Sequence, residues 1–108
     1  MAITHFTFCE VGQVTFNAQI PAAKAASFSS EGIVPSGSNQ QTTAAAATSG
    51  KLSLVCRVAT DTAVYVAFGS NPNALSGTGT RALLPAGAVD YFIVAAGDKA
   101  AEIGRAHV

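Results

Sequence analysis

Apolar and polar side chains alternate one by one over much of this chain, and that period of two constrains the fold more than any other feature. Over 14–20, Val14, Phe16, Ala18 and Ile20 fall on one side and Thr15, Asn17 and Gln19 on the other. Over 51–59, Leu52, Leu54, Cys56 and Val58 alternate with Lys51, Ser53, Val55 and Arg57. Over 63–68, Val64, Val66 and Phe68 share a face opposite Tyr65. The same reading predicts a strand over 3–8, with Phe6 and Phe8 on one face. A turn at 10–12 separates it from the 14–20 strand, which Pro21 closes because proline lacks a ladder amide. The short connection at 60–62 predicts that its two flanking strands pair as a hairpin. Further strands are expected near 32–34, over 81–84, 89–94 and 99–103, punctuated by Pro85-Ala86-Gly87 and Ala95-Ala96-Gly97-Asp98. The alanine run 44–47 lacks an amphipathic flank, so at most one helical turn is expected there. About seven or eight strands without a convincing helix predict an all-β antiparallel sandwich, for which the jelly roll is the natural eight-strand solution.

A chain of 108 residues makes one domain, 1–108, with a single modest core. Residues 36–50 are rich in Ser, Gly, Asn, Gln, Thr and Ala and carry no periodicity. A segment that long is an extended arm lying on a neighbour or a long surface loop. Charged residues are only 11% of the chain, six basic against six acidic. Soluble domains ordinarily reach about 25% and keep a net charge away from zero. Either much of this surface is covered by partners, or an alanine-rich domain simply tolerates it. Basic residues are scattered, so no nucleic-acid partner is expected. No apolar run is long enough to span a bilayer, so no membrane partner is expected.

Cys9 and Cys56 are the only cysteines. The start Met1-Ala2-Ile3-Thr4-His5-Phe6 shows no basic region followed by an apolar one, so thiols kept reduced in a cytoplasm are the default. Cys56 is in phase with the core, while a Cys9–Cys56 bridge stays open. His5 and His107 lie near opposite ends, and no Cys or His spacing of the zinc type occurs. Of the six carboxylates, Asp61 and Asp98 read as turn formers. Asp90 and Glu102 read as solvent-facing strand residues. Ser76-Gly77-Thr78-Gly79-Thr80 lacks the Gly-Lys ending of a phosphate loop. No catalytic set, cofactor or metal is therefore expected, and the protein reads as a non-enzyme.

Three stretches carry a resemblance. They are Ala59-Thr60-Asp61-Thr62-Ala63-Val64-Tyr65-Val66-Ala67-Phe68-Gly69-Ser70-Asn71-Pro72, Leu84-Pro85-Ala86-Gly87-Ala88-Val89-Asp90-Tyr91-Phe92 and Ala96-Gly97-Asp98-Lys99-Ala100-Ala101. Spanning 51–103, this pattern of strands and turns resembles small β-rich structural proteins encoded near the major capsid gene of tailed bacteriophages. Several of those are jelly-roll decoration, or cement, proteins. The resemblance implies a virion protein, assembled in the host cytoplasm and added to the capsid exterior. Its partners would be the major capsid protein and itself, as a dimer or trimer bridging capsomers. Terminal position and loop length single out Ile3, Phe6 and Phe8, and Asn71, Asn73, Leu75 and Thr78, as contact candidates. The alternative is a receptor- or carbohydrate-binding module of a phage tail or fibre, with Tyr65 and Tyr91 as platforms.

Overall fold

A computed structural model describes residues 2–15, 19–23, 29–47, 53–75 and 81–104. The described chain is all-β. Its nine strands are β1 (Thr4–Thr15), β2 (Gln19–Ala23), β3 (Ser29–Ile33), β4 (Gln40–Gln41), β5 (Ser53–Thr60), β6 (Val64–Gly69), β7 (Ala82–Leu84), β8 (Val89–Val94) and β9 (Lys99–Gly104). One sheet runs β2-β1-β5-β8, with β3 sharing the β2 side of β1, and the other runs β4-β9-β6-β7. Every pairing is antiparallel. The expected antiparallel β-sandwich is therefore present.

Alternation tells which residues face the core. In β5, Leu54, Cys56, Val58 and Thr60 are buried while Val55, Arg57 and Ala59 are half-buried. Phe6, Phe8, Val58, Val64, Val66, Leu84 and Val94 join Cys56 in one cluster between the sheets. A second, smaller cluster of Ala67, Ala74 and Ile103 lies with Tyr65 on the other side of β6 and β9. Alanine fills close approaches, since Ala100 and Ala101 are wholly buried.

Three local expectations are corrected by long-range pairing. No turn occupies 10–12, because β1 runs through it with partners on both sides: Gly12 faces Ala22, and Glu10 faces Leu54. Nor is 14–20 one strand. β1 ends at Thr15 and β2 returns beside it, with Val14 opposite Ile20 and Pro21 opposite Gln13. A hairpin whose opposed residues share parity has the same period-two pattern as a straight strand. Pro21 is tolerated because β2 is an edge. The third correction concerns β5 and β6, which do not pair. β1 and β8 occupy both edges of β5, while β7 and β9 occupy both edges of β6. The corner between the sheets is made by Thr60. Its hydroxyl donates to the Thr62 carbonyl at 2.6 Å and accepts the Thr62 amide at 3.3 Å.

Two further crossings use matching turns. The Ala88 amide donates to the Pro85 carbonyl, and the Asp98 amide to the Ala95 carbonyl. Gly87 and Gly97 adopt φ of 81° and 90°. A positive φ at the third position of such a turn suits glycine, because residues with a Cβ rarely adopt that backbone conformation even where, as here, there is open space for a side chain. Asp98 does act as a turn former, accepting the Ala95 amide on Oδ2 at 2.9 Å. Asp61 instead holds the chain start, accepting the Ile3 amide at 2.8 Å.

Over 36–47 the chain lies along β9 of its own sheet. Gln40 and Gln41 face Glu102 and Ala101, and the Thr42 amide donates to Ala100. Ala46 then brackets the next turn, giving its amide to Asp98 and accepting that of Gly97. Glu31 of β3 supports this segment with its carboxylate, which accepts the Thr43 and Ala44 amides. The expectations for 16–18, 24–28, 48–52, 76–80 and 105–108 lie outside the described residues.

Cys9 and Cys56 are both buried and both free. Phe8, not Cys9, stands opposite Cys56, so the thiols lie on opposite faces of the sheet. Burial pushes the Cys56 thiol up to about 12, and raises that of Cys9 as well. Thiolate is the reactive form. Neither cysteine should therefore label at mildly alkaline pH in the native protein, whereas both should label promptly in denaturant. A thiol titration with and without denaturant checks this.

Candidate interaction surface

Among the described residues, β8 borders its sheet, with β5 on one side and no strand on the other. The ladder phase tells which of its groups are spent. The Thr60 amide donates to the Ala88 carbonyl. Residues 88, 90, 92 and 94 therefore bond to β5, while the backbone groups of Val89, Tyr91 and Ile93 point to the free edge. Consistent with that phase, the Tyr91 amide donates to the Asp90 carboxylate at 3.0 Å instead of a strand partner.

The same three residues put their side chains on the outer face of the sheet. Val89 is 50% exposed, Tyr91 63% and Ile93 87%. They continue onto Ala59, Arg57 and Val55, directly opposite them on β5. Single exposed apolar side chains are ordinary, but a contiguous strip of them marks a contact surface. One end of the strip opens on a depression of about 290 Å³ lined by residues including Ile3, His5, Asp61 and Val89. On the core side of the same border, the Phe68 and Phe92 rings meet at 4.8 Å. They line a recess of about 210 Å³ together with Arg81 and Ala82.

The contact candidates from the sequence divide. Phe6 and Phe8 are core residues, not surface residues, and this corrects the expectation for both. Ile3 is half-buried at the mouth of the depression. Asn71, Asn73 and Leu75 are exposed on a loop fastened over the second sheet. Ala74 anchors that loop by donating its amide to Asn39 Oδ1 at 2.8 Å, and Gln41 Nε2 donates to Asn71 Oδ1 at 2.8 Å. Thr78 lies outside the described residues. Tyr65 is no open platform, because the Arg81 guanidinium sits 3.7 Å above its ring. The Val89, Tyr91 and Ile93 strip was missed. Its signal was the run 89–94, six residues without Gly, Pro or Lys.

Glu102 also departs from expectation, whereas Asp90 is exposed as expected. Glu102 shares the inward face of β9 with Ala100 and stands opposite Val66 and Gln40, with none of its surface exposed. Neither carboxylate oxygen reaches a donor at hydrogen-bond distance, and Gln40 Oε1 is similarly unmatched. Burial pushes the carboxyl up to about 7, and the nearby Thr4 hydroxyl, outside hydrogen-bond geometry, pulls the other way by less. Thr4 and Thr60 join hydroxyls at 3.1 Å in the same buried region. Among the described residues, no three His, Cys, Asp or Glu side chains gather as a metal site.

No protein-family model matches the chain, and no curated protein or solved structure matches it either.

Proposed function

We propose that this chain is a non-enzymatic structural protein of a phage virion, a decoration protein that binds the outside of the head and bridges capsomers of the major capsid protein. The observation that carries the reading is the apolar border strand, with Ile93 87% and Tyr91 63% exposed on a protein with only 11% charged residues. Such a surface gains by being covered and loses little charge solvation in the process. Many weak contacts repeated over a shell suffice, because each further contact of a bridging subunit is effectively intramolecular. The resemblance of 51–103 to head decoration proteins directs the reading to a capsid.

Co-sedimentation with empty expanded heads tests it. The protein should pellet with heads in saturable amounts and stay in the supernatant alone. Failure to bind any expanded head, together with specific capture on a glycan array, would establish the tail or fibre module instead. The exposed Tyr91 ring would then be its stacking platform.

A further inference from the structure

We infer that the free edge of β8 is a self-association seam, on which a second copy of this chain adds its own β8 antiparallel across a two-fold axis at Tyr91. This deepens the decoration reading by naming the partner of the strip.

The edges of the molecule differ in a way that selects β8. β7 has three residues and β4 two, which is the usual protection by shortness. β2 carries Pro21, and β3 carries Gly32 and Glu31. β8 has six residues, Val89–Val94, with no Pro, Gly or Lys among them and a single charge, Asp90. Its free backbone groups belong to Val89, Tyr91 and Ile93, so an antiparallel copy centred on Tyr91 would form hydrogen-bonded pairs at those positions. Tyr91 would then oppose Tyr91 of the second copy, and each Val89 would oppose an Ile93. All three pairs are of the aromatic or β-branched kind that stabilises sheets. A two-fold seam requires a surface complementary to itself, and this strip meets that requirement. Such a seam buries the two backbone edges and the flanks of the facing side chains, an area at the lower end for a specific interface, so the dimer is a weak one. In the isolated chain the Asp90 carboxylate holds the Tyr91 amide at 3.0 Å, so it must turn aside when the edges join.

Sedimentation equilibrium of the full chain, without capsids, is the test. The wild-type protein should pass from monomer to dimer across micromolar concentrations. The Tyr91→Lys, Ile93→Lys double variant should remain monomeric with an unchanged far-ultraviolet circular dichroism spectrum, since both side chains point to solvent. Oxidation then reads the register. Tyr91→Cys should give a covalent dimer, because paired Cα atoms there stand about 5.5 Å apart. Val89→Cys alone should not, as its copies stand about 14 Å apart. Val89→Cys mixed with Ile93→Cys should crosslink again. A wild-type monomer at all concentrations, a trimer, a dimer indifferent to the lysines, or equal crosslinking at 89 and 91 would each overturn the seam. Failure to pellet with heads while the dimer persists would instead overturn the capsid assignment alone.

Discussion

Replacing Glu102 with Gln should raise the stability of this protein by about 3 kcal/mol at about pH 8 and leave it nearly unchanged at about pH 4. The carboxyl is wholly buried without a hydrogen-bond donor, and its folded-state value is about 7 against 4.5 in the ordinary case. The folded state therefore binds the proton more tightly than the unfolded state does. Stability is highest where Glu102 is neutral in both states, declines as pH rises from 4.5 towards 7, and levels off above. This is opposite to the usual paired carboxylate, whose contribution appears as pH rises. The Gln side chain has nearly the same shape and does not ionise, so the difference between the two proteins isolates this one group. For a domain of this size, each kcal/mol moves the melting temperature by roughly 4–8 °C. Thermal melts of both proteins from acid to mildly alkaline pH measure the effect. A stability difference that does not vary with pH would show that Glu102 is not held in the core.

Phe6→Ala should cost about 3–5 kcal/mol, the range for removing a wholly buried phenylalanine. Phe6 has no exposed surface and faces Val58 across the ladder, with Phe8, Val64 and Val66 in the same cluster. Domains of this kind are stable by only about 5–15 kcal/mol, so the variant should be marginal or unfolded. Phe6→Leu keeps most of the apolar volume and should fold with a smaller loss. Urea unfolding of both variants ranks them. A Phe6→Ala protein that melts like the wild type yet loses capsid binding would move Phe6 from the core to an interface.

Phe6 also shows why contact residues were hard to read from the chain. Its phase with Phe8 says that the two share a face, but a face becomes core or surface only when a second sheet covers it. Val89, Tyr91 and Ile93 have the same alternating signature as Leu54, Cys56 and Val58. The first set is exposed because it lies on the outer face of a border strand, and the second is buried between sheets. Glu102 is the reverse case. A charged residue on a strand is expected to face water, since burying it costs several kcal/mol. Here Ile103 marked the opposite side as inward, which would turn Glu102 to solvent, but both faces of β9 are covered and Ala100, Ala101, Glu102 and Ile103 are all buried.

Residue order by itself determined that this chain would be built of strands, where most of them lie, and that two sheets would enclose one core. Those properties follow from period-two alternation and from turn chemistry at residues such as Gly87 and Gly97, which act over a few neighbours. Only the tertiary structure decided which strands pair, that β5 and β6 part into different sheets, that Glu102 turns inward, and that β8 lies at the border of its sheet among the described residues. Pairing is a choice among distant segments competing for the same backbone hydrogen bonds. A local pattern is the same whichever partner wins.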